Sequence, residues 1–104
     1  MSAIDDIAAE RRRQAEAEGW TPEHDDQHEE GDLADAAACY AAGCIPLAPV
    51  EDGSTRLVPL WPWLAAWWKP SDRRRDLVKA GALIVAEIER IDRAAGHTIG
   101  GQGA

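Results

Sequence analysis

The residues best suited to chemistry fall in two stretches of the chain, and the first is acidic and contains histidine. It reads His24-Asp25-Asp26-Gln27-His28-Glu29-Glu30 and follows a Gly-Trp-Thr-Pro turn. Two imidazoles four residues apart share one face of a helix, and with carboxylates between them they can chelate a divalent cation. A histidine pair without a third ligand is a weak motif, however. Taken alone, this stretch is more typical of an acidic, solvated linker.

The second stretch combines tryptophan with positive charge. It runs Trp61-Pro62-Trp63-Leu64-Ala65-Ala66-Trp67-Trp68-Lys69-Pro70, and Arg73-Arg74-Arg75 follow at the start of a predicted helix. Indole rings stack on nucleobases, while Lys and Arg side chains bind phosphate or carboxylate groups. A helix N-terminus adds free backbone N–H groups. The stretch therefore predicts a pocket for a small nucleotide. In the competing interpretation, the tryptophans only cover the core of a chain that lacks Phe.

A first helix is predicted from Ile4 to Glu18, with Ser2 as its N-cap. One face of this helix begins apolar and ends in the polar residues Arg11, Gln14 and Glu18. Either this face points inward, so that its polar groups need buried partners, or the second half of the helix is solvated. The adjacent Arg12 and Arg13 are expected to face outward in both cases.

The elements after the polar connection at residues 20–31 are shorter. An alanine-rich helix is predicted over Asp32 to Ala42, and Asp52-Gly53 between two apolar stretches is a hairpin signal. The prolines of the tryptophan segment leave room for one helical turn between Trp63 and Trp68.

A long helix then begins after Ser71, its predicted N-cap, and runs to about Ala95. Its apolar stripe, which predicts the centre of the core, consists of Leu77, Ala80, Gly81, Ile84, Ile88 and Ile91, and it is widened by Val78, Ala82 and Val85. We therefore predict an all-α fold. Residues 1–96 form one small bundle of three main helices with a Trp-rich loop and a possible short β-hairpin, and residues 97–104 form a flexible Gly-rich tail.

Composition limits the class of partner. The formal net charge is −8, which argues against binding of a nucleic-acid polymer. The apolar runs are too short and interrupted for a membrane partner. Cys39 and Cys44 are too few for a disulfide framework, and no basic-then-apolar leader precedes them, so we expect buried free thiols in the cytoplasm. The chain contains no nucleophile elbow, P-loop or Rossmann glycine pattern.

Several segments in a fixed order carry a resemblance to a known family. They are Glu10-Arg11-Arg12-Arg13-Gln14, the segment from Glu18 to Asp26, Ala36-Ala37-Ala38-Cys39-Tyr40, Trp61-Pro62-Trp63, Trp67-Trp68-Lys69-Pro70 and the segment from Asp76 to Arg90. In these motifs the chain resembles a family of small proteins encoded by tailed phages and prophages. The resemblance covers most of the chain except the termini and the hairpin.

Small phage proteins of this kind resemble counter-defence sponges, which bind a cyclic or ADP-ribose-type nucleotide signal and keep it from the host effector. The resemblance implies a homo-oligomer in the cytoplasm of an infected bacterium, with no cofactor and no catalytic residue. Trp63, Trp67 or Trp68 would stack on the base. Arg11, Lys69 and Arg74 would hold phosphates, and Gln14, His24 and Asp25 would read polar edges. Trp20 and Lys79 complete the predicted ligand-binding set.

A weaker resemblance links the helical layout to the all-α MazG-like nucleotide pyrophosphohydrolases. It implies Mg²⁺ held by His24, Asp25, Asp76 and Glu87 against a nucleoside triphosphate. The chain departs from that pattern, because the ExxE signature is missing and Arg73-Arg74-Arg75-Asp76 stands where an ExxD pair is wanted. A structural or protein-interaction module is the third interpretation.

Overall fold

The computed structural model describes residues 2–27 and 31–96. It confirms an all-α fold with three main helices and one short antiparallel hairpin. In chain order the elements are α1 (Ala3–Ala17), α2 (Pro22–Asp25), α3 (Asp32–Ala42), β1 (Leu47–Pro49), β2 (Leu57–Pro59), a 3₁₀ turn (Ala65–Trp67) and α4 (Arg73–Ala94). The predicted tail at residues 97–104 and His28 of the predicted histidine pair lie outside the described residues. None of the helices in the described ranges is both long and apolar enough to span a membrane.

Local capping chemistry sets the helix boundaries. The Ser2 hydroxyl accepts a hydrogen bond from Asp5 N (3.1 Å), and the Asp5 carboxylate accepts one from Ser2 N, which forms a capping box. The predicted cap of the long helix was wrong by one residue. Asp72 caps α4 by accepting from Arg75 N (2.9 Å), whereas Ser71 N donates to the Asp76 carboxylate (2.7 Å). Both residue types are good caps, so sequence alone does not choose between them.

The polar connection after α1 contains a helical turn that the sequence analysis missed. Thr21 Oγ1 accepts from His24 N (3.3 Å), and Pro22 occupies the first turn of α2, where a missing N–H costs nothing. This turn fixes the direction of His24 and Asp25.

The core lies where α4 packs against α3 and α1. Small side chains on α3 and α4 allow close approach of the two helices. The buried hydrophobic residues are Trp20, Leu33, Ala36, Ala37, Cys39, Tyr40, Trp61, Val78, Ala80, Ala82, Leu83 and Ala86. Both cysteines are free, as predicted, but Cys44 is exposed rather than buried.

The predicted core stripe of α4 was wrong for its four largest members. Leu77, Ile84, Ile88 and Ile91 are 44%, 48%, 53% and 50% exposed, and the helix instead buries the face that carries Leu83 and Ala86. Both faces of α4 are apolar, so periodicity could not tell which one meets α3. The small residues on one face of α4 allow close packing against α3, and this is the face that is buried.

Candidate functional site

The polar half of α1 points inward and carries a buried carboxylate. Glu10 is buried and accepts hydrogen bonds from Arg13 Nε (2.7 Å) and Nη2 (2.8 Å), from Gln14 Nε2 (3.0 Å) and from the guanidinium of Arg75. The expectation that Arg13 faces outward was therefore wrong, because pairing with Glu10 draws its guanidinium in. Gln14 is only 2% exposed, and its Oε1 has no hydrogen-bond partner among the described residues.

The electrostatics of this group favour its charged form. Burial raises the pKa of Glu10, but the hydrogen bond and charge of Arg13, with the charge of Arg75 and a hydrogen bond from Gln14, outweigh burial. The pKa of Glu10 is consequently below its ordinary value of 4.5. The hydrogen bond to Glu10 in turn raises the pKa of Arg13. Glu10 and Arg75 thus both belong to this buried ionic group, although the sequence analysis did not select them.

A second buried carboxylate holds the loop after α1. Asp25 is fully buried, and its Oδ2 accepts from Arg11 Nη2 (2.9 Å). Arg11 also donates to Trp20 O (3.1 Å) and to Glu89 Oε1 (3.3 Å) on α4. His24 Nδ1 lies 3.2 Å from Asp25 Oδ1. The predicted residues Arg11, His24 and Asp25 therefore do meet, and their contacts with one another position Trp20.

The aromatic rings form an inner and an outer group, joined by the contact between Trp61 and Trp63 (5.3 Å between ring centroids). The inner group packs Tyr40 against Trp68 (4.7 Å between ring centroids) and Trp61 against Trp68 (5.2 Å). In the outer group, the Trp20 ring lies 5.2 Å from that of Trp63 and is stacked at 6.3 Å on His24. Trp68, a predicted stacking residue, hence packs toward the core.

The outer group opens onto a recess that we call the aromatic cleft. It encloses about 640 Å³ and is lined by Glu18, Trp20, His24, Pro62, Trp63, Leu64 and Trp67. Four of the predicted binding residues, Trp20, His24, Trp63 and Trp67, are thus brought together here. Trp67 is the most exposed of the three indoles, at 40%.

A second recess, the cationic cleft, shares part of its wall with the first. It encloses about 240 Å³ and is lined by Glu10, Arg13, Gln14, Glu18, Trp20, Tyr40, Trp67, Lys69, Arg75 and Lys79. Four cationic side chains face two carboxylates in this lining, and Glu18, Trp20 and Trp67 line both clefts. An aromatic surface and an excess of positive charge therefore stand side by side.

The two lysines of the cationic cleft both lie against aromatic rings. Lys69 Nζ is 5.5 Å from the centre of the Trp67 ring, and Lys79 Nζ is 5.4 Å from that of Tyr40. Lys79 Nζ also donates to Lys69 O (2.7 Å). Burial lowers the pKa of Lys79, because desolvation disfavours the charged form of its amine.

Arg74 lies apart from this arrangement. Its Nη2 is 2.7 Å from Asp6 Oδ2, and it lines a separate recess between α1 and α4. Its neighbour Arg75 takes the place in the cationic cleft that was predicted for Arg74. The i,i+4 spacing of Arg75 and Lys79, which puts both on one side of α4, was the available signal.

The residues of the magnesium alternative are separately engaged. Asp25 pairs with Arg11, Glu87 Oε1 lies 2.6 Å from Arg90 Nε, and Asp76 Oδ1 accepts from Ser71 N. In residues 2–27 and 31–96, no group of three or more His, Cys, Asp or Glu side chains is arranged to hold a metal ion.

Comparison with protein-family models, with curated proteins and with solved structures finds no match to this chain. The two clefts themselves are therefore the guide to function.

Proposed function

We propose that this chain is a binding protein for a nucleotide-like small molecule. The base occupies the aromatic cleft and the phosphates occupy the cationic cleft. The observation that carries the proposal is the shared wall of Glu18, Trp20 and Trp67, which puts a stacking surface and a cluster of cations within reach of one ligand.

The aromatic cleft suits a base. Small-molecule sites enclose about 300–1,000 Å³ and are mostly apolar with a few polar groups, and the 640 Å³ cleft falls within that range. Trp63 and Trp67 supply the stacking faces, while His24 offers a polar ring for the base edge. Stacking on an indole is worth about 1–3 kcal/mol per base.

The cationic cleft suits phosphate. Lys69, Lys79 and Arg75 are the phosphate-binding residues of this proposal, and a phosphate would give the Lys79 ammonium group a charged partner in the cleft. A ligand donor would also satisfy Gln14 Oε1, a buried carbonyl oxygen in the wall of this cleft that accepts no hydrogen bond from the part of the chain that the structure describes. An unsatisfied buried acceptor costs about 1–3 kcal/mol, so its pairing favours the bound state.

We base the proposed biological role on the resemblance of the sequence motifs to small phage proteins. The chain would act in the cytoplasm of an infected bacterium by sequestering a cyclic or ADP-ribose-type nucleotide signal of host defence. Sequestration needs tight binding and no catalytic ion, which agrees with the engagement of Asp25, Asp76 and Glu87 in other contacts.

Calorimetric titration with cyclic dinucleotides, cyclic ADP-ribose isomers, ADP-ribose and nucleoside triphosphates tests the proposal. The complex is then heated, and the released ligand is analysed by mass spectrometry. Intact ligand supports sequestration, whereas Mg²⁺-dependent pyrophosphate release would support the MazG-like alternative instead. If the protein binds none of the compounds in the panel, the proposal is contradicted and a protein-interaction module is favoured.

A further inference from the structure

The side-chain amide of Gln14 is held in one orientation by Glu10. Gln14 Nε2 donates to Glu10 Oε2 (3.0 Å), four residues earlier on α1. The Glu10 carboxylate also accepts from Arg13 and Arg75, and its lowered pKa keeps it ionised near neutral pH. An ionised carboxylate can only accept hydrogen bonds, so it binds the NH₂ end of the amide and repels the carbonyl end. Gln14 Oε1 therefore faces away from Glu10.

This carbonyl oxygen is a buried acceptor without a donor. Gln14 is 2% exposed, and its Oε1 accepts no hydrogen bond from residues 2–27 or 31–96. The cations that line the same cleft donate to carboxylates and to the backbone oxygen of Lys69 instead. Because an unpaired buried acceptor is unfavourable, a ligand that brings the missing donor gains affinity.

Gln14 lies at the junction of the two clefts. Its backbone oxygen accepts from Glu18 N (3.2 Å) and from Trp20 N (3.0 Å), and Glu18 and Trp20 line both clefts. The side chain of Gln14 belongs to the lining of the cationic cleft. A nucleotide with its base in one cleft and its phosphates in the other therefore passes Gln14 with the part that joins them, which is the sugar.

The charge of the cationic cleft limits the kind of donor. Four cationic side chains face two carboxylates in its lining, so a ligand ammonium group is disfavoured by like charge. Ionised phosphate groups supply acceptor oxygens rather than donors. A neutral hydroxyl group remains, and the ribose of a nucleotide carries one that can donate as well as accept.

We propose that Gln14 Oε1 accepts a hydrogen bond from a ribose hydroxyl, so that the chain selects ribonucleotides over deoxyribonucleotides. This inference rests on the proposed function and adds a sugar specificity to it. A site that hydrogen-bonds a hydroxyl group rejects the analogue that lacks it, because the buried acceptor stays unpaired in the complex. We expect the dissociation constant of the deoxy analogue to be higher by about 5- to 150-fold.

Calorimetric titration of the full chain tests the sugar specificity. The probes are ATP, ADP-ribose and 3′,3′-cyclic di-AMP, each compared with its 2′-deoxyadenosine counterpart, and ATP also with 3′-deoxy-ATP. At least one deoxy form should bind more weakly than its ribose form by the expected factor. Equal affinities would contradict the inference but leave the proposed function in place. Absence of binding to ribose and deoxyribose forms alike would contradict both.

Two matched variants assign the specificity to Gln14. Gln14→Met keeps the length of the side chain and removes the acceptor, so it should bind ribose and deoxyribose forms with equal affinity. Gln27→Met, at an exposed position after α2, should keep the preference of the wild type. If Gln14→Met keeps the preference, or loses affinity for both sugars in the same proportion, Gln14 does not read the ribose.

A measurement on the wild type serves if Gln14→Met does not fold. In ¹⁵N-labelled protein, the side-chain NH₂ signals of Gln14 should shift with the ribose forms and much less with the deoxy forms, because a hydrogen bond to Oε1 polarises the amide. The Gln27 signals provide the reference. Equal shifts of the Gln14 signals with both sugars would overturn the inference.

Discussion

Lys69 Nζ lies 3.6 Å from Glu18 Oε2 at the boundary of the two clefts. Glu18 also accepts from Arg13 Nη1 (3.2 Å), so one carboxylate partly neutralises two cations of the cationic cleft. An anionic ligand must compete with Glu18 for both of them. Glu18 therefore opposes phosphate binding, although it forms part of the lining of both clefts.

Replacement of Glu18 by Gln should therefore tighten binding of a nucleotide rather than weaken it. Partly exposed ion pairs are worth about 0.2–1 kcal/mol, so the gain is at most about fivefold in the dissociation constant. Calorimetric titration at low and high salt measures it, with the exposed Glu16→Gln as control. Weaker nucleotide binding by Glu18→Gln would indicate that Glu18 reads the base instead.

Trp67→Ala should weaken nucleotide binding by about 5- to 150-fold, which corresponds to the loss of about 1–3 kcal/mol of stacking. The fold should change little, because Trp67 is 40% exposed and belongs to no buried cluster among the described residues. Binding and thermal unfolding are measured on the same samples, with Leu57→Ala on the hairpin as control. If Trp67→Ala and wild type bind the nucleotide with equal affinity, Trp67 does not stack on the base.

Glu10→Gln should lower the free energy of unfolding by about 1–3 kcal/mol near neutral pH, because two guanidinium groups lose their shared carboxylate. Since the pKa of Glu10 is lowered in the folded state, the Glu10 carboxylate contributes fully to the free energy of unfolding at pH values above its ordinary pKa of 4.5. It is lost as the pH falls through the lowered pKa. Urea unfolding across this pH range should show wild type and Glu10→Gln converging in acid, and a constant difference would contradict the assignment.

Gly81→Ala should fail to stabilise the chain although alanine favours helix. The added methyl group would lie 2.8 Å from Ile7 Cδ1, the far end of a flexible side chain, and 3.1 Å from Ile7 Cγ1, so the cost of overpacking, about 1–3 kcal/mol, cancels or exceeds the roughly 1 kcal/mol gained in helix propensity. Combination with Ile7→Val should recover part of that gain. Thermal unfolding of both single variants and the double variant measures the coupling, and additive effects would contradict the close approach of α1 to α4.

The sequence predicted the elements well where local chemistry decides them. Ser2 and Gly43 mark the ends of helices, and the Asp52-Gly53 signal marks the hairpin, because caps and turns depend on near neighbours. It failed where tertiary packing decides. Nothing local says which apolar face of α4 meets α3.

The candidate site was predictable in part for the same reason. Trp63, Trp67 and Lys69 could be selected because indoles and cations stand close together in the chain. Arg74 and Arg75 point in directions roughly 100° apart on a helix, and only the buried carboxylate of Glu10 on α1 draws Arg75 into the cleft. Pairing across helices is invisible in a single sequence.

The most direct test of the central claim uses the indole N–H signals of the five tryptophans. In ¹⁵N-labelled protein titrated with the nucleotides of the panel, signals of Trp63 and Trp67 should move most. That of Trp68, which packs against Tyr40 and Trp61 and is not in the lining of either cleft, should move least. If no nucleotide moves the Trp63 and Trp67 signals, or if only the Trp68 signal responds, the two clefts are not a nucleotide-binding site.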